Sequence, residues 1–459
     1  MSDLALRSYY AMPAWAQSLA LSAYGLRLRF LRYGRYNRRV LAELLRSQWF
    51  SRDQLQELQL ARLNALLRHA ATNVPYYRAL GLPERVAALD ELRGLPVLRK
   101  AEVRRNAASL VAGGRRASLG IHTGGTTGTP LNIACDRRTL QRNYAFFARL
   151  RHWAGAPRGR MVTFGGRTFL PPRQAAPPYW RRNATANILM MSSYHIAPHT
   201  LDAYIDRLRS FHPDLIDAYP SSIEPIARRL VAVGDASIRL RAVVTSSETL
   251  FPPVRQAIER AFGCRVFDYY GAGEMAAFVS QCEAGSYHVN PEFGIVELLR
   301  DGVSVGPGEM GEITATGFIN PVMPLIRYAT GDEAVQGSGD CVCGRAFPVV
   351  QRLAGRMDDV LITPEGRYIG RLDPIFKSVS SLHEARVVQD ASDHVRLEVV
   401  PDVGFSASEA AGLVQELERR LGPSMRVDLV RVESIPREAS GKLRMVVRET
   451  AVSAYRPQT

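Results

Sequence analysis

A segment rich in hydrogen-bond donors is the most distinctive chemical feature of the chain: it reads Thr123, Gly124, Gly125, Thr126, Thr127, Gly128 and Thr129. Glycines let backbone N–H groups approach an anion closely, and threonine hydroxyls add further donors. The composition suits a loop around nucleotide phosphates, but it is not the P-loop pattern, because no Gly-Lys-Ser/Thr follows. An ordinary Gly/Thr turn between two strands is the alternative interpretation.

A second group of reactive side chains follows a predicted strand over residues 264–270. Tyr270 closes that strand, and Gly271 and Glu274 come directly after it. An aromatic ring can stack on a base, a glycine permits a sharp turn, and a carboxylate can hold a metal ion near phosphates. The alternative is a strand-to-helix turn with a solvated glutamate.

Two further segments carry single charged residues in loop-like surroundings. Asp332 follows Thr330-Gly331, and a carboxylate past a turn can accept hydrogen bonds from two ribose hydroxyls. Lys442 follows Ser440-Gly441 and is one of only three lysines in the chain. Lysine is a mobile cation that can reach a developing phosphate or carboxylate charge.

Strand–helix alternation supplies the framework for these segments. Residues 14–80 show helical leucine spacing, and apolar runs alternate with helical patterns from about 117 to 350. The last hundred residues read as a small α+β unit. We therefore expect an α/β fold with three parts: a helical arm (1–80), a large domain (81–355) and a small C-terminal lid domain (356–459).

Composition excludes several classes of protein. The 459 residues are 46% hydrophobic and 22% charged, as in ordinary globular chains. No run approaches the roughly 18–20 apolar residues of a membrane span, and no signal peptide is expected at the N-terminus. Five cysteines argue against a disulfide scaffold and for a reducing compartment, so the expected location is cytoplasmic.

The positive charge of the chain has a structural and a functional interpretation. The net charge is +15, and eight arginines fall within residues 1–50. A basic stripe interleaved with aromatics would favour nucleic-acid binding, whereas net charge alone does not, so no specific nucleic-acid partner is expected. The arm is expected to be a packed helical unit with a solvated basic face. Its alternative is weak attachment to anionic lipid at the inner face of a membrane.

Five segments of the chain, taken in order, resemble those of the adenylate-forming enzymes. They lie around residues 123–129, 270–274, 327–332, 355–359 and 435–444. Two features resemble the phenylacetate–CoA ligase family in particular: a helical opening that ends in residues 73–77, and the run 245–250 leading into 270–274. The segments 192–195 and 218–222 resemble the branch often associated with capsular polysaccharide biosynthesis.

The resemblance implies an AMP-forming ligase that uses ATP and Mg²⁺ to activate a carboxylic acid and then passes the acyl group to an acceptor, usually coenzyme A. It also implies a role for each matching residue. Thr123 to Thr129 would wrap the β/γ-phosphates, Tyr270 and Gly271 would lie against adenine and substrate, and Glu274 would hold Mg²⁺. Asp332 and Arg356 would bind ribose, Lys442 would bridge the carboxylate and the α-phosphate, and Asp358 would be the hinge of the lid.

Departures from the family pattern leave alternatives open. Thr129 stands where many relatives have a loop lysine, so Arg327 or another arginine would have to compensate. The polysaccharide branch need not use coenzyme A, and an amine on a sugar or amino acid would then give an amide. A non-catalytic nucleotide-binding scaffold is the further alternative. The acyl pocket is expected to include Phe164, Tyr194, His195, Tyr219 and Gly271.

Cysteine and histidine spacing indicates a second, metal-binding site. Cys282 and His288 are followed by Cys341 and Cys343, which together make a complete tetrahedral ligand set. The Cys-x-Cys step is tighter than the common Cys-x₂-Cys, and two unrelated loops with buried thiols are the alternative. Zinc-bearing relatives within the resembled family favour a structural Zn²⁺.

Overall fold

The computed structural model describes residues 3–114, 119–122, 131–171, 174–271, 273–353, 361–365, 367–369, 372–376, 379, 381–402, 404–436 and 445–449. The α-helices of this part are α1 Asp3–Ala11, α2 Ala14–Arg32, α3 Arg35–Ser47, α4 Arg52–Asn73, α5 Pro75–Ala79, α6 Lys100–Arg105, α7 Arg137–Trp153, α8 Leu201–Phe211, α9 Pro220–Ala232, α10 Pro252–Phe262, α11 Asp373–Phe376 and α12 Ala407–Leu421. Short 3₁₀ helices span Leu89–Gly94 and Ala184–Ala186.

The strands alternate with helices over residues 188–271, and over residues 265–369 they follow one another without an intervening helix in the described part of the chain. They are β1 Leu119–His122, β2 Asn132–Cys135, β3 Met161–Gly165, β4 Trp180–Asn183, β5 Ile188–Ser192, β6 Leu215–Ala218, β7 Ala242–Ser246, β8 Arg265–Gly271, β9 Phe278–Gln281, β10 Tyr287–Val289, β11 Gly294–Arg300, β12 Val303–Ser304, β13 Met310–Gly317, β14 Tyr328–Gln336, β15 Val349–Leu353, β16 Leu361–Ile362, β17 Tyr368–Ile369, β18 Leu382–Ala391, β19 His394–Pro401, β20 Arg426–Arg431 and β21 Val446–Arg448.

One 13-stranded sheet organises the large part of the molecule. Its order is β12-β11-β13-β14-β15-β10-β9-β8-β7-β6-β3-β5-β4. The run β8-β7-β6-β3-β5 is parallel, and antiparallel strands extend it on both sides. Every residue of β7 is buried, as expected for a parallel strand covered by helices on both faces. The expected α/β class is confirmed.

Local sequence signals explain where several helices begin and end. Ser51 caps α4 in a reciprocal capping box with Gln54, and Ser406 does the same for α12. Pro252 and Pro253 open α10, and Gly263, at φ +60°, ends it. The capping residues and the proline–glycine pair therefore account for these helix boundaries.

A hairpin of β1 and β2 flanks the donor-rich segment. His122 pairs with Asn132 at the end of the ladder, so residues 123–130 connect two hydrogen-bonded strands. Those eight residues lie outside the described part of the chain, and so do Arg356, Asp358 and Lys442. Their proposed roles therefore rest on the sequence.

The C-terminal residues build a separate small sheet. Its order is β20-β19-β18-β21, with β18 and β19 antiparallel and both outer pairs parallel. Leu413, Leu417 and Leu421 of α12 pack with Val387 and Leu397 of the sheet in one hydrophobic core. Arg419 of α12 donates a hydrogen bond to the carbonyl of Tyr194, so this unit contacts the large sheet's loops.

Candidate active site

Glu274 lies at the turn after β8, where the parallel strands of the large sheet end. Its carboxylate is buried and accepts a hydrogen bond from the Tyr328 hydroxyl at 3.0 Å. The ammonium of Lys100, at the start of α6, lies 4.0 Å from the same oxygen. The structure therefore joins a carboxylate, a phenol and a lysine that are far apart in the sequence.

Tyr270 and Asp332 form a second pair beside Glu274. The Tyr270 hydroxyl donates to Asp332 Oδ2 at 3.0 Å, although the two residues are 62 positions apart. Burial, and then the charge of Asp332, raises the pKa of Tyr270 well above its usual value. The phenol thus stays protonated near neutral pH and holds the Asp332 carboxylate in place.

Lys100 is a site residue that sequence reasoning missed. No motif contains it, but it is one of three lysines in a chain that otherwise uses arginine, and that rarity was the available signal. A lysine 4.0 Å from Glu274 is placed to contact phosphate oxygens held near this carboxylate.

Arg327 does not compensate for the missing loop lysine, and this expectation is wrong. Its guanidinium forms a two-pronged ion pair with Glu297, with both N–O distances at 2.9 Å, and donates to the carbonyls of Arg93 and Leu95. The side chain is buried, so these partners use its donors within the protein. Arg327 fixes the chain before β14 instead of facing a ligand.

Two sequence segments that directed the family assignment contact each other. Ser221, at the start of α9, donates from both its N–H and its hydroxyl to the Glu248 carboxylate, each at 2.9 Å. This links the loop after β6 to the loop after β7 at the carboxyl ends of neighbouring parallel strands, where open α/β sheets bind ligands.

The expected acyl-pocket residues fall into two groups. Phe164 packs in the main hydrophobic core, and His195 is buried with its Nε2–H donating to the carbonyl of Pro171. Tyr194 and Tyr219 both bind Gly166: the Tyr194 hydroxyl donates to its carbonyl, and the Tyr219 hydroxyl accepts from its N–H. Gly271 alone among the five lines the cavity described next.

A cavity of about 480 Å³ opens beside the segment 271–275. Its lining includes Gly271, Gly273, Met275, Phe278 and Phe293, together with residues of α2, β1 and α7. This volume lies within the range of small-molecule sites. The cavity adjoins Glu274 in the chain, because Gly273 and Met275 on either side of that residue line it.

The four residues expected to bind zinc lie together, with their ligand atoms all within 4.8 Å of one another. They are Cys282, His288, Cys341 and Cys343. Cys282 Sγ and Cys341 Sγ are 3.7 Å apart, and Cys343 Sγ is 3.4 Å from His288 Nε2. A tetrahedral Zn²⁺ with bonds of about 2.3 Å to sulfur and about 2.0 Å to nitrogen requires edges of about 3.8 and 3.5 Å. The four side chains therefore fit zinc.

Neighbouring groups orient the four ligands. His288 Nδ1 lies 3.3 Å from the carbonyl of Phe347, so Nδ1 carries the proton and Nε2 faces the cysteines. Burial lowers the pKa of His288 to about 4, which keeps the imidazole neutral. The N–H groups of Ala284 and Cys343 point at the sulfurs of Cys282 and Cys341.

Comparisons with known proteins show which families the chain is similar to. Residues 361–449 match the family model of the CapK C-terminal domain. Protein CapK of Staphylococcus aureus is 26% identical over 409 residues, covering 86% of this chain and 89% of its own. Phenylacetate–coenzyme A ligase of Escherichia coli (strain K12) is 30% identical over 333 residues, covering 68% of this chain and 73% of its own.

A solved structure shares the fold. A crystal structure of 2-hydroxyisobutyryl-CoA ligase in complex with 2-HIB-AMP and CoA, in the thioesterification state, superposes with a TM-score of 0.60. The sequences are 21% identical, and the match covers 88% of this chain and 91% of that one. With this coverage, the matched residues include parts of both the large sheet and the C-terminal unit.

Proposed function

The chain belongs to the phenylacetate–coenzyme A ligase family, and we propose that it is an ATP-dependent, AMP-forming ligase whose acyl acceptor is coenzyme A. The carboxylate oxygen of the acid attacks the α-phosphorus of ATP, pyrophosphate leaves, and the acceptor's sulfur then displaces AMP from the acyl carbon. The observation that carries the proposal is the grouping of Glu274, Lys100 and the Tyr270–Asp332 pair beside a cavity.

The described residues have separate tasks in the first step. Lys100 binds phosphate oxygens, which reduces the repulsion between the incoming carboxylate and ATP. Asp332, oriented by Tyr270, accepts the ribose hydroxyls. A Mg²⁺ ion bound with ATP neutralises phosphate charge, and Glu274 is the residue that would hold it. Tyr328 keeps that carboxylate oriented.

The remaining roles concern the undescribed segments. We propose that residues 123–129 enclose the β/γ-phosphates, that Arg356 joins Asp332 at the ribose, and that Lys442 bridges the two reacting groups. Residues 356–459 would then move as a lid about Asp358 between the half-reactions.

Product analysis tests the proposed activity. With ATP, Mg²⁺ and a panel of carboxylic acids, we expect AMP and pyrophosphate to form in equal amounts, with coenzyme A consumed in the second step. Formation of ADP would contradict adenylation, and absence of ATP–pyrophosphate exchange with every acid would favour a non-catalytic scaffold. Exchange without coenzyme A consumption, but with amide formed from an added amine, would assign the acceptor to the amine class.

We also propose a structural Zn²⁺ bound by Cys282, His288, Cys341 and Cys343. The support is the match between the observed edges and tetrahedral zinc, together with the oriented Nε2 of His288. The ligand set is complete without water, which is typical of structural rather than catalytic zinc.

The arm carries features that support peripheral contact with anionic lipid. None of the helices in the described residues is long and apolar enough to cross a membrane. However, Trp15, Leu19, Leu26 and Phe30 lie on one face of α2 at helical spacing, and three of them are more than 60% exposed. By helical spacing, the exposed Arg27 and Arg29 of α2 flank this face. We propose that it rests in the headgroup region of an anionic bilayer.

Vesicle binding tests the lipid proposal. The full chain should sediment with vesicles containing 30% phosphatidylserine and not with pure phosphatidylcholine vesicles, and Trp15→Ser with Phe30→Ser should lower the bound fraction about tenfold or more. Val303→Ser is the matched control, because Val303 is 70% exposed but lies on the edge strand β12. Equal binding to both vesicle types, or an equal loss with Val303→Ser, would contradict the proposal.

A further inference from the structure

Three arginines border the cavity that opens beside Gly271. Arg27 and Arg32 come from α2, and Arg167 comes from the loop after β3. Arg27 and Arg167 are exposed and Arg32 is half-buried, whereas Met275, Phe278 and Phe293, which also line the cavity, are buried. The cavity therefore has an apolar interior and a basic entrance.

Two of these arginines converge on one side chain. The Arg32 guanidinium lies 4.5 Å from the centre of the Tyr144 ring, on α7, and a cation at this distance interacts with the ring's face. Burial raises the pKa of the Tyr144 phenol, and the positive charges of Arg32 and Arg167 both act to lower that pKa. Both guanidiniums are thus close to one point of the cavity wall.

The described part of the chain places no carboxylate in an ion pair with Arg27, Arg32 or Arg167. Asp217 is the carboxyl whose charge acts on Tyr144, and the charge of Arg151 in turn acts on Asp217. A ligand anion at the entrance would supply the missing negative charge.

The helix that carries Arg27 and Arg32 is held firmly. Gly25 of α2 packs so closely on Asn183 that an added Cβ would lie 2.3 Å from the amide nitrogen of that side chain. The Ser22 hydroxyl accepts from the N–H of Ala184, and the Thr185 hydroxyl donates to the carbonyl of Ser22. The basic entrance is therefore built into the fold and does not depend on a loose helix.

From this arrangement we propose that the acid activated here carries a second anionic group, a carboxylate, sulfate or phosphate, at the end remote from the reacting carboxylate. The inference rests on the proposed function, since it assigns the cavity to the acyl substrate. The reacting carboxylate lies near Gly271–Glu274, the apolar body fills the interior, and the second anion binds Arg32 and Arg167. Arginine suits this task because its planar fork binds oxyanions with two parallel hydrogen bonds.

Paired acids with the same body test the proposal. ATP–pyrophosphate exchange without coenzyme A is measured for hexanoate against adipate, and for phenylacetate against 4-carboxyphenylacetate. The wild-type protein should prefer the dianionic member of each pair by about 10- to 100-fold in kcat/KM. Arg167→Gln and Arg32→Gln should each remove most of that preference while leaving the KM for ATP unchanged. Arg38→Gln, on an exposed part of α3, is the matched control and should retain the preference.

The possible results separate this inference from the proposed function. Exchange with monoanionic acids at equal or better efficiency would overturn the inference and leave the ligase activity intact, whereas no exchange with any acid would overturn the activity itself. If the arginine variants show normal exchange but a raised KM for coenzyme A, the entrance binds the phosphates of coenzyme A, and the inference is wrong. Arg167 is exposed, so its variant is expected to fold normally, as circular dichroism would verify.

Discussion

Replacing Cys341 by serine is expected to abolish zinc binding and to lower the melting temperature by roughly 2–4 °C. The wild-type protein, purified without added metal, should contain about one zinc per chain by elemental analysis. A structural zinc contributes folding free energy directly, and a loss of about 2–3 kcal/mol produces a shift of this size in a large chain. The three remaining ligand side chains would then be buried without the ion that links them.

Neighbouring contacts explain why this loss would spread beyond the metal. Asn290, two residues after His288, accepts a hydrogen bond from Arg149 of the Arg149–Glu292 ion pair, and Ser47 of α3 donates to Glu292 at 2.6 Å. Arg345, two residues after Cys343, stacks on Trp153 at 4.4 Å. The zinc loops therefore pack against the helices of the arm and α7.

Cys264→Ala is the matched control for the zinc prediction. Cys264 is partly buried against the main core and is not one of the four clustered residues, so this variant should retain its zinc. Wild-type protein that is folded and active without zinc would refute the prediction. Equal loss of zinc from both variants would show that misfolding, not ligand removal, releases the metal.

Local patterns in the sequence were sufficient to predict most of the fold. Proline and glycine lie at the two ends of α10, and leucine spacing predicted the helices of residues 14–80, because caps and amphipathic faces depend on residues close together in the chain. The four proposed zinc ligands were identified for a similar reason: few residue types bind zinc, and their spacing was visible without knowing the fold.

Contacts between distant segments could not be predicted in the same way. Lys100 meets Glu274 only because α6 packs beside β14, and no spacing rule relates two residues so far apart. The choice of Arg327 was wrong because the sequence does not show that Glu297, on β11, faces it. Phe164 was expected in the acyl pocket, but it shares the buried face of β3 with Val162.

Replacing Lys442 by alanine is expected to slow adenylation by about 10²- to 10³-fold while leaving ATP affinity and folding stability nearly unchanged. The two reacting groups, a carboxylate and the α-phosphate, repel each other, and a cation between them lowers the barrier by an amount typical of one lost electrostatic contact. Because Ser440-Gly441 predicts a loop, the lysine has little packing to lose, so the free energy of unfolding should change by no more than about 0.5 kcal/mol.

The second half-reaction separates this role from a general loss of function. Thioester formation from preformed acyl-adenylate should be much less affected by Lys442→Ala, because the lid would by then have rotated about Asp358 and carried the lysine away. Lys377→Ala, which removes the other lysine of the C-terminal residues, is the matched control and should leave both steps unchanged. If Lys442→Ala slows both half-reactions equally, or slows neither of them, both the lysine's role and the rotation are contradicted. Only a residue that leaves the site between the two steps can affect the first step alone.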